Sequence, residues 1–508
     1  MIKNFFRKFP YIKYFIYKYF KKHGFSTIPK DFSKKKKKII GNKNVLIFSE
    51  RYWPIHNTWE LYIAKIIETE NYNVTVLICD GLNSFCDSHS LNSDIQKDIC
   101  KECKFNVKKI CNSHGIDYVS MNDYVNKNNL KKSIQSPIDN FTDSNLNNFV
   151  ECSVVRHLRS NQKNDVNWKK IETKFKNSLR NTDNFFKKYF FEHDFDYFFV
   201  LNGQFANSKL FTNYAKLLNK KFITYERGNI KNTLVFSKNK NAVPFDMSYI
   251  LNNSNININY DLLNNYLQTR SKVGNGHIPF YTEINDDIDT IKKSLGISYK
   301  SKTFVLFTNL IWDSSVYGQD TIFQDMYEWV QKTINFFILN PNLTLVIRIH
   351  PAEEKITWWK TRFTTEDFIN VNFSSLPNNI KIIKANDTTS SYTLMKITDV
   401  GLVYTSTTGL EMALENKPVI LAASAHYSYL NLVYEPKDIK EYYSLMEKTL
   451  IPMENQVVKI QKYLYLLYFV KMIKLKDIDE GITYNYKINS FANYDNDFKN
   501  SILKVFND

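Results

Sequence analysis

Short apolar runs recur along the chain, separated by polar loops and by stretches with helical spacing. The first run is Asn44-Val-Leu-Ile-Phe-Ser49. A helical pattern follows from Thr58, with Leu61, Ala64, Ile66 and Ile67 at the apolar positions. Val74-Thr-Val-Leu-Ile-Cys79 then reads as a second buried strand. This order of strand, loop, helix and strand opens a doubly wound parallel sheet. Between residues 83 and 195 the pattern loosens and Asn, Lys and Asp dominate, which predicts an irregular, partly helical annex. Strand-like runs return at Tyr197–Leu201, Phe222–Tyr225 and Ser248–Leu251.

Near Asn275–Ile297 the composition turns polar, and a domain junction is expected there. The alternation then repeats. Thr303–Thr308, Leu343–Ile349, Ile380–Ile383, Val400–Tyr404 and Pro418–Ala422 read as strands. Residues 320–339, 390–397 and 408–416 carry helical spacing, and from Glu435 onward the chain reads as helical and packing back. The predicted fold is therefore α/β, with two Rossmann-like domains facing a central cleft. Its parts are a leader (1–43), a first domain (44–275), a second domain (276–434) and a C-terminal segment (435–508). A chain of 508 residues is long enough for two cores.

Charge changes this picture only at one end. Residues 1–44 hold 14 Lys or Arg against a single acid, Asp31, and so supply +13 of the formal +17. The body is nearly neutral, which argues against a nucleic-acid footprint. In the leader Phe5, Phe6, Tyr11, Tyr14, Phe15 and Tyr19 interleave with Lys3, Arg7, Lys8, Lys13 and Lys18. Such a segment suits peripheral attachment at the inner membrane face, and a solvated leader is the competing reading. It lacks the long apolar run of a spanning helix or signal peptide. Six cysteines with no signal peptide predict reduced thiols and a cytoplasmic location.

Two strand ends carry candidate chemistry. Ligands of open α/β sheets sit at the carboxyl ends of strands. Leu345-Val-Ile-Arg-Ile-His-Pro351 delivers Arg348 and His350 to such an end. Imidazole can bond a phosphate or base or move a proton; a structural histidine is the plainer alternative. Tyr404-Thr-Ser-Thr-Thr-Gly-Leu-Glu411 reads as strand end, hydroxyl-rich loop and helix start. Ser406, Thr407 and Thr408 offer hydroxyls, Gly409 offers room for close approach, and Glu411 can accept from a ribose or sugar hydroxyl. A Ser- or Thr-capped helix with an acid in its first turn explains the same residues without a ligand.

The combination resembles the bacterial capsule polysaccharide biosynthesis family. It consists of Arg348-x-His350-Pro351, about 55 residues later Ser406-Thr-Thr-Gly-x-Glu411, and then Lys417-Pro418. His426-Tyr427, Cys79-Asp-Gly-Leu82, Leu201-Asn-Gly-Gln204, Tyr225-Glu-Arg-Gly228 and the Cys86…Cys100-x-x-Cys103 spacing also look like that family's recurring turns. Gln204 departs from it, standing where an Arg is expected. The family is similar to GT-B glycosyltransferases, including users of CMP-activated acidic sugars. The resemblance implies transfer from a nucleotide sugar, with CMP or UDP favoured, to a glycan or lipid-linked acceptor. It also implies that Arg348, His350, Ser406, Thr407, Thr408, Gly409 and Glu411 form the donor site.

Transfer requires that the acceptor hydroxyl lose a proton and that the leaving phosphate be stabilised. His56 and Glu60, after the first strand, and Glu226, at another strand end, are the candidate catalytic groups. For Glu60 a solvated first-turn acid is the rival reading. No Asp-x-Asp pair follows a predicted strand, so the reaction is expected to need no metal or other cofactor. Cys86, Cys100 and Cys103, with Cys79 or Cys111, could hold a structural zinc, or could be reduced buried thiols. A sugar-nucleotide 2-epimerase of the same plan and a non-catalytic nucleotide-sugar-binding component are the alternative functions.

Overall fold

The computed structural model describes residues 41–507, apart from 51–52, 89–95, 131–142, 254–255, 271–286, 299–300, 356–359, 477, 481–485 and 489–495. The basic leader lies outside the described residues, as does most of the expected junction. In the first half the elements are β1 (Lys43–Ser49), α1 (Pro54–Glu68), β2 (Tyr72–Ile78), α2 (Gln96–His114) and β3 (Tyr118–Ser120). They continue through α3 (Met121–Lys127), α4 (Asp143–Leu158), α5 (Trp168–Glu192), β4 (Tyr197–Leu201) and α6 (Ala206–Leu217). The half closes with β5 (Lys221–Arg227), β6 (Thr233–Lys238), α7 (Ser248–Asn253) and α8 (Tyr260–Arg270).

The second half runs α9 (Ile288–Leu295), β7 (Thr303–Phe307), α10 (Met326–Leu339), β8 (Thr344–Arg348), α11 (Ala352–Lys355), α12 (Thr365–Asn372) and β9 (Ile380–Ile383). Then come α13 (Ser391–Ile397), β10 (Val400–Val403), α14 (Thr408–Leu414) and β11 (Val419–Leu421). The C-terminal segment contributes α15 (Ile439–Glu447) and α16 (Gln456–Leu466), which passes into a π-helical turn at Leu467–Lys471. It ends with β12 (Ile473–Lys474), β13 (Ile478–Glu480), β14 (Tyr486–Ile488) and α17 (Asn496–Asn507).

Two Rossmann-like sheets result. The first has the order β12-β6-β5-β4-β1-β2-β3 and the second β11-β10-β7-β8-β9. All pairings in the second sheet are parallel. In the first, β3, β2, β1, β4 and β5 are parallel, while β6 and β12 extend the edge antiparallel to their neighbours. The turn from β5 to β6 is too short for a crossover, so β6 must reverse direction. Val45, Leu46, Ile47 and Phe48 are fully buried, as expected of a strand covered on both faces.

Three expectations change. Residues 83–195 were expected as an irregular annex, but their α2 and β3 complete the parallel sheet. Their α5 is a long amphipathic helix whose Phe186 and Phe190 pack on Phe211 and Phe198 at centroid distances of 5.6 and 5.2 Å. Each such burial contributes about 1.5–3 kcal/mol. Ser248–Leu251 was expected as a strand and is the start of α7. The Asp246 carboxylate accepts the Ser248 N–H (3.0 Å) and hydroxyl (2.6 Å), a turn that launches a helix from an apolar run with no decisive period. The C-terminal segment mixes helix with strand. Its Gln456 Nε2 donates to Ala413 O (2.8 Å) in the second half, and β12 pairs with β6 in the first.

Candidate functional site

Each sheet has one point where the chain stops adding strands on one side and starts on the other. In the second sheet this lies between β7 and β10, in the first between β1 and β4. Loops diverge at such a point and leave a crevice.

The second crevice gathers most of the residues expected to hold a donor. Asn309 Oδ1, after β7, accepts the Thr405 N–H at 3.3 Å, and Thr308 Oγ1 accepts the His350 N–H at 2.9 Å. His350 Nδ1 accepts the Ala352 N–H at 3.2 Å, so the neutral ring carries its proton on Nε2. Burial lowers the pKa of His350 to about 4, with the Arg348 charge adding to the effect and Asp313 opposing it. At neutral pH the ring is an uncharged donor through Nε2.

In the hydroxyl loop, Ser406 Oγ accepts the Thr408 N–H (3.2 Å) and donates to Thr408 Oγ1 (2.8 Å). Capping at this turn is thus done by Ser406, while Thr407 turns elsewhere. Its Oγ1 lies 3.1 Å from His426 Nε2. His426 Nδ1 lies 2.7 Å from Tyr463 Oη, and the same hydroxyl donates to His426 O at 2.7 Å. A phenol has one proton. Since it goes to the carbonyl, His426 must donate through Nδ1–H, and its Nε2 accepts the Thr407 proton. Burial lowers the pKa of His426 to about 4, which keeps this tautomer neutral. Glu411, half-buried, sits in the first turn of α14 as expected.

Two expected donor residues have other tasks. Arg348 is 1% exposed, and its Nη1 and Nη2 donate to the carbonyls of Lys384 (2.5 Å) and Asp387 (3.3 Å). It anchors the loop after β9 in place of the expected phosphate contact. Gly409 does not open space for a ligand. A Cβ there would stand 2.6 Å from Tyr427 Oη and 2.9 Å from a Val403 methyl, so the glycine lets α14 pack closely.

The first crevice sorts the catalytic candidates. His56 lies within α1, not in a loop, and is 4% exposed; Glu60 is 2% exposed. Tyr225 Oη donates to Glu60 Oε1 at 2.8 Å and lies 3.3 Å from His56 Nδ1. Glu60 is therefore neither a solvated acid nor a rim base. Glu226 is half-buried at the end of β5. Its Oε2 accepts from Asn202 Nδ2 (2.9 Å), and Asn202 Oδ1 accepts the Gln204 N–H (2.9 Å). Gly203 between them adopts φ +79°, a backbone that favours glycine.

A cleft of about 760 Å³ joins the two halves. Gln204, Asn241 and Phe245 line it from the first half, and Tyr317, Gln319 and His426 from the second. Gln204, the departure from the family pattern, lies in this wall with its Nε2 donating to Val243 O (2.7 Å). Asn309, Gln319 and Tyr463 carried no signal in the sequence, because each reaches the site from a segment far removed in the chain.

Cys79, Cys86, Cys100 and Cys103 lie near one another. Burial raises the Cys103 thiol well above its ordinary value, with Cys79, Cys86 and Cys100 adding to the effect, and burial pushes Cys86 up to about 12. Cys111 lies fully buried in the core. Among the described residues no three Cys, His, Asp or Glu side chains form a group that could hold a metal ion. The expected zinc ligands Cys86, Cys100 and Cys103 are all half-buried. No helix among the described residues is long and apolar enough to cross a membrane.

No protein-family model matches the chain, and no curated protein matches it. Among solved structures the fold is similar to KpsC of Thermosulfurimonas dismutans, a β-Kdo 2,4-transferase. The two share 13% identity at a TM-score of 0.32, over 61% of this chain and 87% of that one. It is similar also to a glycosyltransferase from Rickettsia africae (9% identity, TM-score 0.27, covering 92% and 98%). A third is HepE of Anabaena in complex with UDP and glucose (10% identity, TM-score 0.26, covering 84% and 95%).

Proposed function

We propose that this protein is a glycosyltransferase that moves a sugar from a nucleotide-activated donor, of the CMP or UDP class, to a glycan or lipid-linked acceptor in surface polysaccharide assembly. The observation that carries this reading is the convergence of two sheet crevices on one cleft, the first through Gln204, whose N–H bonds the Asn202 that holds Glu226, and the second through His426, which bonds Thr407. The second offers neutral donors, the Thr408 hydroxyl, whose oxygen accepts from Ser406, and His350 Nε2–H, suited to the leaving phosphate. The first offers a half-buried carboxylate, Glu226, suited to the acceptor.

In the proposed step Glu226 takes the proton of the acceptor hydroxyl as that oxygen bonds to the anomeric carbon. The bond from that carbon to the donor phosphate breaks, and its electron pair leaves on the nucleotide. Donors placed where charge develops stabilise such a state more than the ground state. General-base assistance contributes typically 10²–10⁴-fold. The basic aromatic leader is proposed to hold the enzyme on an anionic membrane surface; deletion of residues 2–40 should abolish binding to anionic vesicles.

A thermal-shift screen against CMP, UDP, GDP, ADP and their sugar conjugates tests the reading. A nucleotide that binds the folded state raises the melting temperature by mass action. A pyrimidine nucleotide should give a clear shift that is lost in His350→Ala. No shift from any nucleotide at millimolar concentration would overturn the donor assignment.

A further inference from the structure

The wall of the cleft contributed by the first half has a charge and shape that the donor reading does not use. Lys209 and Lys216 are seven residues apart on α6, hence on one face, and both line the cleft. Lys240 lines it too, and Asp246 is the single acid among the lining residues. Lys240 and Asp246 pair with each other at 2.7 Å. The cation row on α6 is therefore not neutralised by that acid. Lys209 Nζ donates to Asn148 O (3.1 Å) and Oδ1 (2.8 Å), which fixes its position and leaves its third hydrogen uncommitted by those bonds.

The same cleft carries amides and rings. Gln204, Asn239, Asn241 and Gln319 offer the paired donors and acceptors that suit vicinal hydroxyls. Tyr429 stands at the mouth, 83% exposed, on a left-handed backbone of φ +66°. Its N–H donates to Glu435 Oε1 at 2.8 Å, which helps hold the turn. A non-glycine residue in that region costs about 1–3 kcal/mol and recurs where a ligand is met. An exposed ring held that way presents a flat apolar face, the surface on which the C–H face of a pyranose packs.

We infer that this wall binds an anionic sugar residue of the acceptor, carboxylated or phosphorylated, with its acid group on Lys209 and Lys216 and its ring against Tyr429. The cations stand on the first half of the cleft and His426, which bonds Thr407, on the second, so the acid they recognise belongs to the acceptor side and not to the donor phosphate. The inference rests on the transferase reading for the word acceptor, but the binding itself does not.

Calorimetric titration of the full chain tests it, with tetragalacturonate, mannose 6-phosphate and neutral tetragalactoside as probes. At least one anionic probe should bind at least tenfold more tightly than the neutral one, and which of them does so identifies the acid. Lys209→Gln with Lys216→Gln should weaken the anionic probe at least tenfold, and Tyr429→Ala about fivefold. Equal binding of neutral and anionic probes, or indifference to the lysine pair, overturns the inference. So does a tenfold loss of nucleotide affinity in the lysine variant, because the cations would then serve the donor. If no nucleotide binds the wild type while the anionic sugar does, the transferase reading fails and the anion site stands.

Discussion

On the rim of the second half, groups that could bear charge are kept neutral and aimed through fixed tautomers: His350 by the Ala352 N–H, His426 by Tyr463. The first half presents ionisable groups instead: Glu226 is held by Asn202 at the end of β5, and Lys209, Lys216 and Lys240 line the cleft. The difference fits the two jobs. A site for a leaving phosphate gains from preorganised donors that need no rearrangement, whereas a site that deprotonates a hydroxyl needs a carboxylate that stays ionised and partly wet. Within the first half the contrast repeats: Glu60, deep beside Tyr225, serves the core, and Glu226 at the strand end serves the rim.

Three substitutions sharpen this contrast, from large effect to small. Glu226→Gln should lower turnover by about 10²–10⁴-fold, measured as nucleotide release with acceptor present. Wild-type turnover would remove the base assignment. Tyr225→Phe should destabilise by about 1–3 kcal/mol, since the buried Glu60 carboxylate loses a donor. Donor affinity should stay within about twofold, and urea unfolding with nucleotide titration checks both. The third effect is one of pH. His350 and His426 protonate near 6.5 when unfolded but only near 4 when folded. The unfolded chain therefore takes up the extra protons, and stability falls as pH drops from about 6.5 towards 4. Each ring contributes a slope of up to about 1.4 kcal/mol per pH unit in that window. His114 is lowered to about 4 by burial as well, so His426→Gln should flatten the histidine part of the slope by about a third, and an unchanged slope would show that the ring is not held neutral.

How much of this was legible depends on how local the cause was. Strands such as β1, β7, β8 and β10 announce themselves, because a strand buried on both faces must be continuously apolar. The three-residue β3 left no such trace, and its loss made the third βα unit look like an annex. Site residues at strand ends, His350 and Thr407, were visible from position alone. What a side chain does there was not. Arg348 and Gly409 sit where phosphate ligands would, yet one bonds loop carbonyls and the other admits Tyr427. Tyr463, which sets the tautomer of His426, lies 37 residues away on another helix. The Cys-x-x-Cys spacing was visible as well, but among the described residues no three ligating side chains group around it.

The division of labour between the rims is tested most directly by nucleotide affinity in two variants measured side by side. The account predicts that Glu226→Gln binds the nucleotide as wild type does, while Thr408→Val combined with His350→Ala loses at least tenfold. The opposite pattern, with affinity lost in Glu226→Gln and kept in the double variant, would put the donor on the first half and contradict the account.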